Sequence, residues 1–246
     1  MFSIDIINHM KIQKIFYINL DSSQDRKKWV TSQYYNTKTE DLPLPPLERV
    51  PAFYPQKKDV ALGGKYQHLL GKYSDIFEEL YGTDTPHSLA TLGCYLSHKK
   101  IYELILQEKP GYYISLEDDI VLKPNWYINL QEKLGEVNFG FDIIRQQWHS
   151  SFNKFKKGKK MNIYSRWAKP WNCDEISGGT HFTIINSESA KKVLKHFDEE
   201  YIFDIDKVLN TPKLEVFHRK FEGINASFPG TSDFESTIKR PWDQNR

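Results

Sequence analysis

Tyr112-Tyr113-Ile114-Ser115-Leu116-Glu117-Asp118-Asp119-Ile120 is a compact run of β-formers that ends in three adjacent acids. It reads as a strand that delivers carboxylates at its C-terminal end. Upstream, Cys94, Ile101, Leu104 and Ile105 share one helical stripe between Leu92 and Glu108, and Lys109-Pro110-Gly111 stops it. Downstream, Pro124 suits the first turn of another helix. The acids therefore sit between two helices, at the end of a strand.

The same alternation continues in both directions. Ile15-Phe16-Tyr17-Ile18-Asn19-Leu20 is a second apolar run, and Ser22 with Asp25 three residues later resembles a capping box that starts a helix. Pro43, Pro45, Pro46, Pro51 and Pro55 crowd the next stretch, so residues 36–60 are expected to be irregular. Phe141-Asp142-Ile143-Ile144 and His181 to Ile185 read as further strands. Ser187 reads as an N-cap, and Ala190, Val193, Leu194 and Phe197 behind it fit i, i+3, i+4, i+7. Strands alternate with helices and no repeat of fixed period is present, which predicts one α/β layered domain over residues 1–246 with a largely parallel sheet.

Composition narrows the class. With 246 residues, 39% of them hydrophobic and 27% charged, the chain is long and apolar enough for a substantial core and is neither disordered nor fibrous. A net charge of +2 gives no bulk electrostatic case for nucleic acid or an anionic membrane. Cys94 and Cys173 are too few for a disulfide framework or a thiolate metal site, fit a reducing compartment, and read as buried thiols. Met1 to Met10 lacks the pattern of a signal peptide, and no stretch reaches the roughly 18 apolar residues of a membrane span. The expected setting is cytoplasmic, at most peripheral to a membrane.

Ligands of open α/β sheets bind beyond the carboxyl ends of the strands, where Glu117, Asp118 and Asp119 project. Three adjacent carboxylates repel one another unless a cation compensates, and oxygen ligands suit Mg²⁺ or Mn²⁺. Such an ion bridges the phosphates of a nucleotide diphosphate and neutralises charge on a leaving oxygen. Spacing alone leaves a solvated turn open. It also leaves open a metal-dependent nucleotidyltransferase or phosphohydrolase, although no Gly-rich Walker loop or His-rich cluster accompanies the acids, and a sugar-binding protein that has lost catalysis.

Around the acids the sequence resembles glycosyltransferase family 25, the lipooligosaccharide β-galactosyltransferase and procollagen galactosyltransferase family. Tyr17-Ile18-Asn19-Leu20-Asp21 with Asp25-Arg26 is similar to its opening strand and Asn-Leu-Asp…Asp-Arg motif. Leu92-Gly93-Cys94-Tyr95-Leu96-Ser97-His98 resembles its Gly-Cys-x-Leu-Ser-His motif, 19 residues ahead of Glu117. Leu116-Glu117-Asp118-Asp119-Ile120 is similar to its version of the Asp-x-Asp motif. Phe141 to Ile144, Ile205-Asp206 with Leu209, and Ser232-Asp233 follow as looser landmarks, so the likeness covers roughly residues 14–240. One segment departs: Thr180-His181-Phe182-Thr183-Ile184-Ile185-Asn186 stands where the family has a Gly-Tyr and a small hydroxyl residue, and it is assigned to the acceptor side.

The resemblance implies a GT-A-type fold with a mostly parallel, Rossmann-like sheet flanked by helices. Residues from about 14 to 145 would form the nucleotide-sugar half and residues from about 146 to 246 the acceptor-side half. It further implies a UDP-sugar donor, a divalent metal, Mn²⁺ or Mg²⁺, and inverting transfer of a hexose, galactose by family default. The acceptor would be a glycan, lipooligosaccharide or hydroxylysine-type hydroxyl. Within that frame Glu117 and Asp119 are expected on the metal, with Asp118 reaching the ribose or bracing the site. Asn19 and Leu20 lie under the nucleotide, while Arg26 pairs with phosphate, with an acid of the sheet, or with a helix neighbour. Ser97 and His98 face the donor, His98 being either a contact to the diphosphate or sugar or a packing residue.

Asp206 is the first choice for the base that takes the acceptor's proton, with Asp204, Asp174 and Glu175 as alternatives. His181 and His218 are read as structural, with completion of the metal shell as the other role, and Asp233 could close the site from the C-terminal segment. Trp148, Trp167 and Trp171 are read as core or as a sugar-stacking face. Five lysines between Lys154 and Lys160 are read as a solvated loop or as steering for an anionic acceptor.

Overall fold

Both faces of the strand that ends in the acids are buried, so the chain has to supply helices on each side of it. The computed structural model describes residues 10–37, 43–61, 63–66, 86–146, 180–199, 205–209 and 213–226. In chain order it has β1 (Ile12–Asn19), α1 (Gln24–Asn36), β2 (Leu47–Pro51), α2 (Lys57–Val60), α3 (Pro86–Ile105), β3 (Tyr112–Glu117), β4 (Ile120–Leu122) and α4 (Trp126–Leu134). Then follow β5 (Ile143–Gln146), β6 (Phe182–Asn186), a 3₁₀ turn (Ser187–Ser189), α5 (Ala190–Glu199), α6 (Ile205–Val208), β7 (Val216–Arg219) and β8 (Ile224–Ala226).

Six strands form one sheet in the order β2-β1-β3-β6-β5-β7, and β4 pairs with β8 in a separate antiparallel ribbon. β1 runs parallel to β2 and β3, and β5 runs parallel to β7. β6 is the exception, antiparallel to both β3 and β5. This mixed, mostly parallel sheet flanked by helices is the α/β architecture expected from the sequence. The reversal of β6 has a local consequence: its first residue, Phe182, lies beside Leu116, so the chain entering β6 arrives at the carboxyl end of β3.

Alternation along the central strands divides the core into two layers. Phe16 and Ile18 of β1, Tyr113 of β3 and Ile185 of β6 point into one cluster with Leu92, Tyr95, Ile101 and Tyr102 of α3 and Val193 and Phe197 of α5. Ile15, Tyr17, Ile114, Leu116 and Ile184 point the other way, against Val30 and Tyr34 of α1 and Trp126 and Leu130 of α4. A Tyr95–Phe197 edge contact at 5.1 Å and the Tyr95 hydroxyl donating to the Phe197 carbonyl at 2.8 Å pin α3 to α5. With β3 packed on both faces, its acidic end is held by a rigid support.

Three local expectations change. Residues 36–60 are not irregular throughout: β2 occupies Leu47–Pro51 and α2 Lys57–Val60. Proline is tolerated there because β2 is an edge strand. The N-cap of α1 is Ser23 rather than Ser22, without a side-chain cap bond. Instead Asn19 Nδ2 donates to the Ser23 carbonyl and Gln24 to that of Asp21. At the other helix start Asn186, one residue before Ser187, accepts from the Glu188 N–H and opens the 3₁₀ turn that leads into α5.

Candidate active site

β1 and β3 are parallel neighbours with Ile18 opposite Glu117, so the residues just past each strand meet at one edge. Asn19, 1% exposed, donates from Nδ2 to Asp118 Oδ2 at 2.7 Å. Arg26, in the first turn of α1, donates to Asp118 Oδ1 at 3.0 Å. Arg49 of β2 supports this from behind, donating from Nε to Asn19 Oδ1 at 3.0 Å and from its terminal nitrogen to the Asn19 carbonyl at 3.0 Å and to Asp21 at 2.5 Å. Both oxygens of Asp118 are therefore held. Burial pushes its carboxyl up from the usual range, while Asn19 and Arg26 pull the other way. Arg26 thus pairs with Asp118, an acid at the end of the sheet, which is one of the pairings open to it from sequence.

The flanking acids have a different environment. Glu117 Oε1 lies 3.0 Å from His98 Nε2 and accepts from the Thr180 hydroxyl at 2.5 Å. His181 Nε2 stands 3.7 Å from Glu117 Oε2 and 3.6 Å from Asp119 Oδ2. Burial works to raise the Glu117 pKa, but the His181 charge, the His98 hydrogen bond and charge, and the Thr180 hydroxyl outweigh it and hold the carboxyl well below its ordinary value. Asp119 Oδ1 is buried and has no hydrogen-bond partner among the described residues.

Donor atoms of Glu117, Asp119 and His181 all lie within 4.8 Å of one another. Two carboxylates and an imidazole suit Mn²⁺, or Mg²⁺ with water completing its shell. A buried carboxylate oxygen without a partner is costly in a protein alone, and a cation would satisfy it. The residues thus fit the divalent metal that the resemblance implies.

Thr180 and His181, expected at the acceptor side, belong to this acid cluster. The reversed β6 delivers them, and the Glu117 N–H donates to the His181 carbonyl at 3.1 Å. His218 does not join them. It lies in β7 opposite Arg145 of β5, fully buried, and burial and then the Arg145 charge lower its pKa well below the ordinary value. His98 and Ser97 come from α3. Ser97, 2% exposed, donates to the Gly93 carbonyl at 2.6 Å and accepts from the Phe53 N–H at 2.9 Å, which ties α3 to the chain leaving β2. A Cβ on Gly93 would fall 2.4 Å from the Phe53 carbonyl oxygen, which explains the glycine of that motif.

Leu20 follows β1, half-buried beside Asn19. Asp206 lies in α6, and its side chain is outside the described residues. Asp204, Asp174, Glu175, Trp148, Trp167, Trp171, the lysines from Lys154 to Lys160 and Asp233 also lie outside them. Sequence reasoning missed Arg49 and named Thr180 only within the segment assigned to the acceptor side. Arg49 sits in the proline-rich stretch that hides β2, and Thr180 carries no motif of its own.

The carboxylates and the imidazole gather beyond the carboxyl end of a central strand, which is where open α/β sheets bind their ligands. Residues 12–209 match the model of Glycosyltransferase family 25 (LPS biosynthesis protein), and the chain belongs to that family of glycosyltransferases. Mouse xyloside xylosyltransferase 1, in a crystal structure of its apo form, is similar at 12% identity with a TM-score of 0.36, over 85% of this chain and 71% of that one. No curated protein matches the chain. Among the described residues no helix is long and apolar enough to cross a membrane.

Proposed function

We propose that the protein is an inverting galactosyltransferase that uses a UDP-sugar donor, with a divalent metal held by Glu117, Asp119 and His181. Family membership supports sugar transfer. The observation that carries the metal and donor assignment is the Glu117–Asp119–His181 cluster, with the partnerless Asp119 Oδ1 inside it. When bound there, the metal supplies positive charge to the diphosphate that leaves as the sugar's anomeric bond breaks.

The protein's own groups hold that geometry. Asn19, Arg26 and Arg49 fix Asp118, and Asp118 fixes the turn on which Glu117 and Asp119 stand. His98 and Thr180 orient Glu117 Oε1, leaving Oε2 toward His181 and Asp119. Asn19 and Leu20 at the end of β1 lie under the nucleotide. Asp206 takes the proton from the acceptor hydroxyl as that oxygen bonds to the anomeric carbon and UDP departs. The acceptor is the hydroxyl of a glycan or glycoconjugate, and the family description, an LPS biosynthesis protein, supports a lipopolysaccharide-type glycan such as lipooligosaccharide.

The test is a panel of UDP-sugars with and without Mn²⁺, read by thermal stabilisation and by UDP release. UDP-galactose is expected to stabilise the protein in Mn²⁺ and to release UDP slowly. Turnover of plain nucleotides without a sugar requirement would instead favour a nucleotidyltransferase or phosphohydrolase.

A further inference from the structure

Glu117 belongs to two clusters. Its Oε2 faces His181 and Asp119, whereas its Oε1 faces His98, and there Cys94 completes a second group whose donor atoms lie within 4.8 Å of one another. Cys94 and His98 are four residues apart on α3, so thiol and imidazole rise from the same face of one helix. Glu117 approaches them from the end of β3. His98 is 2% exposed and Cys94 half-buried, and both elements are locked by the core, so the three groups are preorganised.

We propose that Cys94, His98 and Glu117 form a second metal site, selective for a thiophilic divalent cation of the zinc class and joined to the outer cluster through the Glu117 carboxylate. The ligand types are what separate the two sites. One thiolate, one imidazole and one carboxylate oxygen suit Zn²⁺, while the outer cluster lacks sulfur and suits Mn²⁺ or Mg²⁺. Two cysteines in the chain are too few for an all-thiolate site, but a mixed site needs only one. A tetrahedral ion with bonds of about 2.0–2.3 Å sets its donors roughly 3.3–3.8 Å apart, so on binding the His98–Glu117 hydrogen bond at 3.0 Å gives way as those two atoms open slightly onto the ion, while the Cys94 sulfur closes by at most about 1.5 Å. Three protein ligands leave a fourth position for water. Binding converts the Cys94 thiol to thiolate, and its proton passes to solvent.

The experiment is a Co²⁺ titration of the full chain without nucleotide, followed by Zn²⁺ competition. Wild type is expected to develop a thiolate-to-cobalt charge-transfer absorption that saturates at one equivalent and is erased by Zn²⁺. Cys94→Ser abolishes the band, Cys173→Ser retains it, and Asp119→Asn retains it because the outer cluster contributes no sulfur. His98→Gln weakens cobalt affinity by at least about tenfold, and tests the same chelate should Cys94→Ser fold poorly. A wild type without the band, a band that survives in Cys94→Ser, or one lost in Asp119→Asn overturns the proposal. Failure of the donor assignment would appear elsewhere, as UDP binding that ignores Mn²⁺.

Discussion

Asp118 and Asp119 are neighbours in sequence with opposite surroundings. The inner wall around Asp118 is saturated: Asn19 and Arg26 occupy its two oxygens and Arg49 holds Asn19 in turn. The outer edge around Asp119 is left incomplete, with one oxygen buried without a partner among the described residues and the other 3.6 Å from His181. The first region pairs its charges internally, and in the proposed site the second keeps them for a ligand. On the proposed function, three adjacent acids divide between support and chemistry, according to the partners each one faces.

The largest way to break this contrast is at the outer edge. Asp119→Ala is expected to reduce kcat/KM for sugar transfer on the order of 10³-fold, the weight of a metal-held leaving group, without lowering Tm. Steady-state kinetics and a thermal melt check both halves. Asp118→Ala should do the reverse in kind: it removes the carboxylate to which Asn19 and Arg26 both donate and costs about 2–3 kcal/mol in a urea titration. His181→Ala should weaken Mn²⁺ binding roughly 10–100-fold, read by calorimetry. Arg49→Ala, two bonds removed from the acids, should cost about 1–2 kcal/mol of stability through the loss of charged hydrogen bonds to Asn19.

The smallest effect is one of pH. Glu117 has its pKa lowered in the folded protein from the ordinary 4.5, so its contribution to stability is full above that value and is lost as pH falls toward the folded-state pKa. Glu117→Gln should therefore show a shallower acid-side loss of stability than wild type between about pH 5 and 3.

Much of the fold was legible in the sequence, and the misses have physical causes. β1 and β3 announce themselves because strands buried on both faces are continuous apolar runs, and the acids mark where β3 ends. α5 was visible because Ala190, Val193 and Phe197 repeat at helical spacing and are buried as that spacing requires. β2 was hidden, since an edge strand tolerates the prolines that argue against a central one. Arg49 disappeared with it. Strand direction has no local signature, so nothing in Thr180-His181 revealed that a reversed β6 would bring them to Glu117. The choice between bracing and binding for each acid depended on partners as much as 99 residues away, as in the Asn19–Asp118 bond.

Calorimetric titration of UDP into the protein with and without Mn²⁺, repeated in Asp119→Asn, tests the division of the acids most directly. The expected result is tighter binding in Mn²⁺ for wild type and no manganese dependence in a folded Asp119→Asn. Full manganese dependence in Asp119→Asn would contradict it.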